Sequence, residues 1–247
     1  MIKQNFIYGI HAIEAALKKS SHNILQIFLQ QGRKDKRTQK ILQLAKKYNI
    51  PVSFVEARKL QNLVGDANHQ GVAAQIKVVS STRENDLDEI LKSLKEPAFL
   101  LILDGVQDPH NLGACLRSAE AAGVHAVIAP KDRAVGLTPT VYKVASGAAE
   151  TMPFIQVTNL ARTMRKLQDQ GVWLMGADER GEESLFKADL SGSVAVVMGA
   201  EGKGLRRLTR EHCDQLLHIP MAGSVASLNI SVATGIFLFE VVRQRKA

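Results

Sequence analysis

The sequence predicts an α/β protein in two parts: a small mixed module, then a larger domain built on a mainly parallel sheet. Three observations carry this expectation. Apolar runs of strand length alternate with patterns of helical period, as in a parallel sheet covered on both faces. Charge is unevenly placed: residues 1–77 hold 13 Lys/Arg and 4 Asp/Glu, a net +9, and residues 78–247 hold 19 and 20, a net −1, which sum to the +8 of the chain. Near the start of the second region lies a polar, acidic stretch, SSTRENDLDEILKSLKEP (80–97). The boundaries read 1–77 for the first module, 78–96 for a linker and 97–247 for the second domain.

In the first module, GIHAIEAALKKS is a helix, because Ile10, Ile13, Ala16 and Leu17 repeat at helical spacing. ILQIFLQ (Ile24–Gln30) is a strand. GRKDKRTQKILQLAKKYNI begins as a basic loop and becomes a helix, Pro51 precedes a short strand VSFV, and GVAAQIKVV (Gly71–Val79) is another strand. About 75 residues suffice for such a module to fold alone. LDEILKSL suits a short helix inside the linker. Further strands are expected at Phe99–Asp104, Val124–Ala129, Pro153–Val157, Val172–Gly176, Val194–Met198 and Gln215–Ile219, with helices between most of them. A helix over Ser227–Arg243 closes the chain.

Composition excludes several classes. No apolar run spans a bilayer, and MIKQNFIYGIHAIEAALKKS lacks a signal-peptide core and cleavage site. Cys115 and Cys213 form neither a metal-like spacing nor a disulfide framework. A cytoplasmic protein without membrane or metal is expected. Gly199, Gly202 and Gly204 fit neither the dinucleotide fingerprint nor the P-loop, since Lys203 is followed by glycine. A nucleophile elbow and an HExxH zinc motif are absent from the sequence. The basic first third suits a polyanion such as a nucleic acid, against the alternative of a merely soluble basic face.

Three clusters carry chemistry. In DPHNLGACLRSAEAAG (108–123), Asn111 is the expected N-cap of a helix. Leu112, Cys115, Leu116 and Ala119 form its core face, and Arg117 projects off that face. Gly113, one turn earlier, would clear space beside the arginine for a ligand or another chain. The alternative is an ordinary capped helix with a surface arginine. In VVMGAEGKGL (196–205) a strand runs into a glycine-rich loop, the usual ligand position in open α/β sheets, and LRRLTREHC follows as a helix; the alternative is a tight connection with a solvated Glu201. In IPMAGSVASLNISVATG (219–235) a strand ends at Ile219 and a helix begins near Ser227. Ser227 is its candidate cap, with Asn229 in the first turn between Leu228 and Ile230. A simple cap is the alternative there too.

Taken together and in order, HNLGACLR, MGAEGKGL and SLNISVATG closely resemble the three motifs of the SpoU class of RNA ribose 2′-O-methyltransferases, in the SPOUT superfamily. The resemblance runs over nearly the whole chain, including IYGIHAIEAAL and DPHNLGACLRSAEAAGVHAVI. It implies a SPOUT-type parallel sheet whose C-terminal chain forms a deep trefoil knot, which general topology rules would not suggest. It implies S-adenosylmethionine as methyl donor, a homodimer with the site near the subunit interface, and an N-terminal RNA-binding domain of the L30e/L7Ae type. By motif, it assigns Asn111 and Arg117, Glu201, and Ser227 and Asn229 to catalysis, and Gly199, Ile219 and Leu228 to the cofactor. The most similar members methylate a guanosine ribose in the peptidyl-transferase P loop of 23S ribosomal RNA. The alternatives are a tRNA ribose methyltransferase of the same family and a non-catalytic RNA-binding protein of ribosome assembly.

The implied reaction moves a methyl group in line from a sulfonium to a ribose 2′-oxygen, so the protein must mainly position reactants and ease the loss of a proton. A free arginine is not a base at ordinary pH. Arg117 therefore has two readings: it clamps an RNA phosphate and stabilises charge developing on the oxygen, or the phosphate polarises it enough to help remove the proton. His110 is an alternative base.

Overall fold

The computed structural model describes residues 5–19, 21–33, 35–65, 69–76, 84–225 and 227–246. In chain order the first elements are β1 (Asn5–Tyr8), α1 (Ile10–Lys19), β2 (Ile24–Gln30), α2 (Lys36–Lys47), β3 (Val52–Val55), α3 (Ala57–Val64), β4 (Val72–Ile76) and α4 (Glu84–Ser93). Then follow β5 (Phe99–Asp104), α5 (Pro109–Ala122), β6 (Ala126–Pro130), α6 (Pro139–Ala145), β7 (Phe154–Val157), α7 (Leu160–Asp169) and β8 (Trp173–Ala177). The chain ends with β9 (Glu183–Ser184), β10 (Val194–Gly199), α8 (Arg207–Glu211), β11 (Gln215–His218) and α9 (Ile230–Lys246). It divides into two compact units, Met1–Ser80 with Leu137–Thr151, and Ser81–Gly136 with Met152–Ala247.

The first unit is built on a four-stranded mixed sheet, order β1-β4-β2-β3, in which only β2 and β3 run parallel. Phe6, Tyr8, Phe28 and Ala73 bury one face with Leu60 of α3, and alternation sends Ile7, Ile27 and Leu29 to the other. The helix α6 packs on β1 within this unit. Asp35 caps α2, accepting the Thr38 and Arg37 amides; the Thr38 amide first, then Arg33, draws its carboxyl down to about 2. Both β1 and α3 escape the sequence reading. β1 ends one residue before α1, so its apolar residues run into the helix pattern, and α3 buries only Leu60, too little to set a period. Lys77–Val79 of the expected strand, and residues 78–83 of the expected linker, lie outside the described residues. The rest of that polar stretch forms α4, which sends Leu87 into the core of the second unit.

The second unit holds a seven-stranded sheet, order β7-β6-β5-β10-β8-β11-β9, with every pair parallel. All six expected strands are present, with ends moved by up to two residues. The two-residue β9 is additional. β5 and β10 lie side by side at the centre, and FLLILD and VAVVM are buried throughout, as the continuous apolar runs require. The last helix, α9, returns to pack on α5. Near its end the Arg245 guanidinium donates to the carbonyls of Pro97, Ala98 and Gly192 at 3.1, 2.9 and 2.6 Å and stacks on Phe99. Because the strands are parallel, all their carboxyl ends open on one edge.

Candidate active site

The site lies at that carboxyl edge. The chain leaves β10 through Ala200–Gly204, a loop closed on itself by paired bonds between the Ala200 and Gly204 backbones at 3.1 and 2.9 Å. A side chain at Gly199 would collide with backbone atoms of Gly204 and Leu205, so only glycine lets the loop fold back over the strand end. Gly202 and Gly204 carry positive φ, which glycine adopts without penalty. Glu201 is thereby held at the tip of a tight loop.

The helix α5 begins differently from the expectation. Asp108, not Asn111, is the N-cap: its carboxylate accepts the His110 amide at 2.9 Å, and Pro109 takes the first helical position. Asn111 lies in the first turn, buried, and its side chain turns away from the helix amides. Its Nδ2 donates to Glu201 Oε1 at 2.8 Å, across 90 residues of sequence. The third motif departs in the same way. α9 starts at Ile230, and Asn229 rather than Ser227 caps it, its Oδ1 accepting the Ser231 amide and hydroxyl at 2.9 and 2.6 Å. With Oδ1 so engaged, Nδ2 is free to donate to Glu201 Oε1 at 2.7 Å and to Asn111 Oδ1 at 3.1 Å. Three side chains, one from each motif, close a triangle of hydrogen bonds around one carboxylate.

Two cavities flank this triangle. The first, about 460 Å³, lies beyond β8, β10 and β11; Gly199, Glu201, Ile219, Ser227, Leu228 and Asn229 line it. Its walls are mixed: Met198, Leu217 and Phe237 are apolar, while Asp178 and Arg210 form an ion pair at 2.5 Å. The second, about 490 Å³, lies beyond β5 and is lined by Asp104, Asp108, Asn111, Glu201 and Lys203 among others. Both volumes suit a small ligand. Arg117 lines neither: it is exposed on α5 and has no hydrogen bond or ion pair among the described residues. Gly113 is buried, so it does not border an open gap beside Arg117. Among the described residues no cluster of His, Cys, Asp and Glu could hold a metal ion.

The sequence reading missed several lining residues. Asp104, fully buried at the last position of β5, accepts the Arg206 amide at 2.9 Å and Nε at 2.6 Å, which anchors the far end of the glycine loop. Its signal was its place at a strand's carboxyl end. Lys203, between two positive-φ glycines, lines both cavities. Asp178, just past β8, has the same strand-end signal as Asp104.

A parallel sheet with two ligand-sized cavities at its carboxyl edge, joined by a loop-borne carboxylate and two amides, has the layout of an α/β enzyme that brings two ligands to one carboxylate. The chain belongs to the SpoU rRNA methylase family, whose model matches residues 98–239; a model for RNA 2′-O ribose methyltransferase substrate binding matches residues 6–82. It is 55% identical, over all of both chains, to the 23S rRNA (guanosine-2′-O-)-methyltransferase RlmB of Shewanella oneidensis. To the RlmB of Escherichia coli K12 it is 53% identical, over 97% of this chain and 98% of that one. Among solved structures, an RNA 2′-O ribose methyltransferase superposes with a TM-score of 0.82 at 25% identity, covering all of this chain and 90% of the other. The AdoMet complex of the SpoU methyltransferase AviRb from Streptomyces viridochromogenes shares the fold, with a TM-score of 0.81 at 24% identity over 98% of this chain and 91% of the other.

Proposed function

We propose that this protein transfers a methyl group from S-adenosylmethionine to the ribose 2′-hydroxyl of a guanosine in 23S ribosomal RNA, in the peptidyl-transferase P loop. The observation that carries the reading is the Asn111–Glu201–Asn229 triangle standing between two ligand-sized cavities, in a chain more than half identical to RlmB enzymes.

The methyl donor is a substrate, and the first cavity suits it. Apolar walls accept its adenine and carbon chain, glycine backbones allow close approach, and the Glu201 carboxylate complements the sulfonium charge. Gly199, Ile219 and Leu228 are the proposed donor contacts. Asn111 and Asn229 fix the position of Glu201, whose Oε2 has no protein hydrogen bond among the described residues and can accept one from the ribose. Ser227 shapes the same wall. Arg117 is exposed, lines neither cavity and has no partner among the described residues; the proposed homodimer would bring it to the partner subunit's site, to clamp an RNA phosphate there and stabilise charge on the 2′-oxygen as its proton leaves. His110, exposed on the first turn of α5, remains the alternative base.

The first module is the proposed RNA arm, and residues 97–247, apart from the 137–151 segment that belongs to the first unit, are the proposed catalytic domain. Gly181 has no room for a side chain, with Leu216 backbone atoms within 2.7 Å, so the loop after β8 wraps closely on β11; this and the return of α9 onto α5 support the knotted path. Val232 and Phe239, exposed and seven residues apart on α9, support a homodimer. Among the described residues no helix is long and apolar enough to cross a membrane; the proposed place of action, the cytoplasm, rests on the ribosomal RNA substrate. Mapping 2′-O-methyl groups in 23S RNA from cells with and without the protein tests the activity: one guanosine methyl should disappear with the gene. An unchanged 23S map with a missing tRNA methyl would favour the tRNA enzyme instead.

A further inference from the structure

We propose that the second cavity seats the acceptor guanosine, with Arg133 and Lys203 holding its flanking phosphates and Asp108 reading its base. The proposal rests on the methyl-transfer reading and adds the half of the site that reading leaves unassigned.

Three loops beyond adjacent strands build this cavity: Gly105–Asp108 after β5, the turn after β6 that carries Arg133, and the glycine loop after β10. The first two are tied by the Val135 amide donating to Val106 O at 2.9 Å. Asn111, Glu201, Lys203 and Gly204 belong to its wall, and the last three also border the donor cavity. A group passing from one cavity to the other therefore passes Glu201, as in-line transfer between two bound substrates demands.

The charges on the wall are sorted. Asp104 is taken up by Arg206 and Glu201 by two amides. Arg133 and Lys203 have no acidic partner among the described residues, so two cations face the cavity without neutralisation. Arg133 also sits at φ 58, a conformation uncommon for arginine that persists only where the surroundings impose it. Paired, unneutralised cations around a nucleotide-sized space suit the phosphates on either side of one ribose. Asp108 accepts the His110 amide through Oδ1, and Oδ2 has no hydrogen bond among the described residues. A carboxylate on the wall accepts N–H donors, and guanine is the base whose pairing edge offers two side by side, N1–H and N2–H.

Three variants test the assignment. Arg133→Asn tolerates the positive φ, Lys203→Gln keeps the side-chain length, and Asp108→Asn retains an N-cap oxygen. Each is assayed by steady-state methylation of a 23S fragment bearing the target guanosine, and by calorimetry with S-adenosylmethionine. R133N and K203Q should raise KM for RNA about tenfold and lower the salt slope of RNA binding by about 0.7 each; R133N, whose residue lies outside the donor cavity, should leave donor affinity within about twofold. D108N should reduce the preference for guanosine over inosine, which lacks the N2 amine, by about tenfold. Wild-type turnover with unchanged KM, slope and base preference in the variants overturns this proposal alone. Loss of donor affinity without a change in RNA KM does so as well. A wild-type protein that leaves the fragment unmethylated overturns the methyl-transfer reading and this proposal with it.

Discussion

Glu201 is exposed, yet two side-chain amides converge on one of its oxygens, and each amide comes from a different motif. Holding a carboxylate this way fixes its direction before substrate arrives, which is the condition for electrostatic help in a transition state. Arg117 is the contrasting case, a cation with no hydrogen-bond or ion-pair partner among the described residues. Arg117→Ala should therefore lower kcat by about 10²–10³-fold while circular dichroism and donor affinity stay near wild type; normal turnover would remove Arg117 from the mechanism. The thiols make a second residue-scale prediction. Burial pushes Cys115 up to about 11 and Cys213 up to about 12, so both remain protonated and slow to react near neutrality. Ellman's reagent at pH 8 should titrate neither cysteine in the folded protein and both in denaturant. The types of these residues were legible in the sequence; their hydrogen-bond partners were not. Asn111 and Ser227 both have good capping chemistry, and local propensity cannot register a carboxylate 90 residues away that claims the Asn111 amide instead.

At the scale of elements, the glycine loop after β10 sets the whole geometry. Gly199 permits the backbone to fold back, the Ala200–Gly204 bonds close the loop, and Asp104 at the end of β5 anchors Arg206 behind it. Gly199→Ala would drive a methyl group into backbone rather than into a flexible side chain. It should cost about 1–3 kcal/mol or more, seen as a Tm lower by roughly 2–4 °C per kcal/mol. Donor binding should weaken as well, because the displaced loop carries part of the cavity wall. Unchanged Tm and donor affinity would show that the loop can shift freely. The strands were legible here for a plain reason: FLLILD and VAVVM are buried on both faces and read as unbroken apolar runs. β9 was not, since two residues carry no usable period, nor was β1, whose apolar residues run into the pattern of α1 after a single intervening residue.

For the molecule as a whole, the charge asymmetry is the feature the sequence states most directly, and the fold explains where it goes. In the first unit α2 buries Thr38, Ile41 and Ala45 on one side and exposes Lys36, Arg37, Lys46 and Lys47 on the rest. None of these four cations has an acidic partner among the described residues, whereas Lys40 is paired with Glu14. A helix whose polar face is cationic and unpaired is an electrostatic footing for a phosphate backbone. Residues 137–151 belong to the same unit, so deleting residues 1–77 would strip α6 of its support and confound the measurement. Neutralising the helix in place avoids this. Changing Lys36, Arg37, Lys46 and Lys47 to Gln removes charge from exposed positions and leaves the buried face untouched. The salt slope of RNA binding should fall by about 0.7 for each phosphate of single-stranded RNA that the helix no longer neutralises, with donor affinity unaffected. A slope equal to that of the wild type would mean that α2 does not meet the RNA, and the role of the first unit would have to be sought on another of its faces.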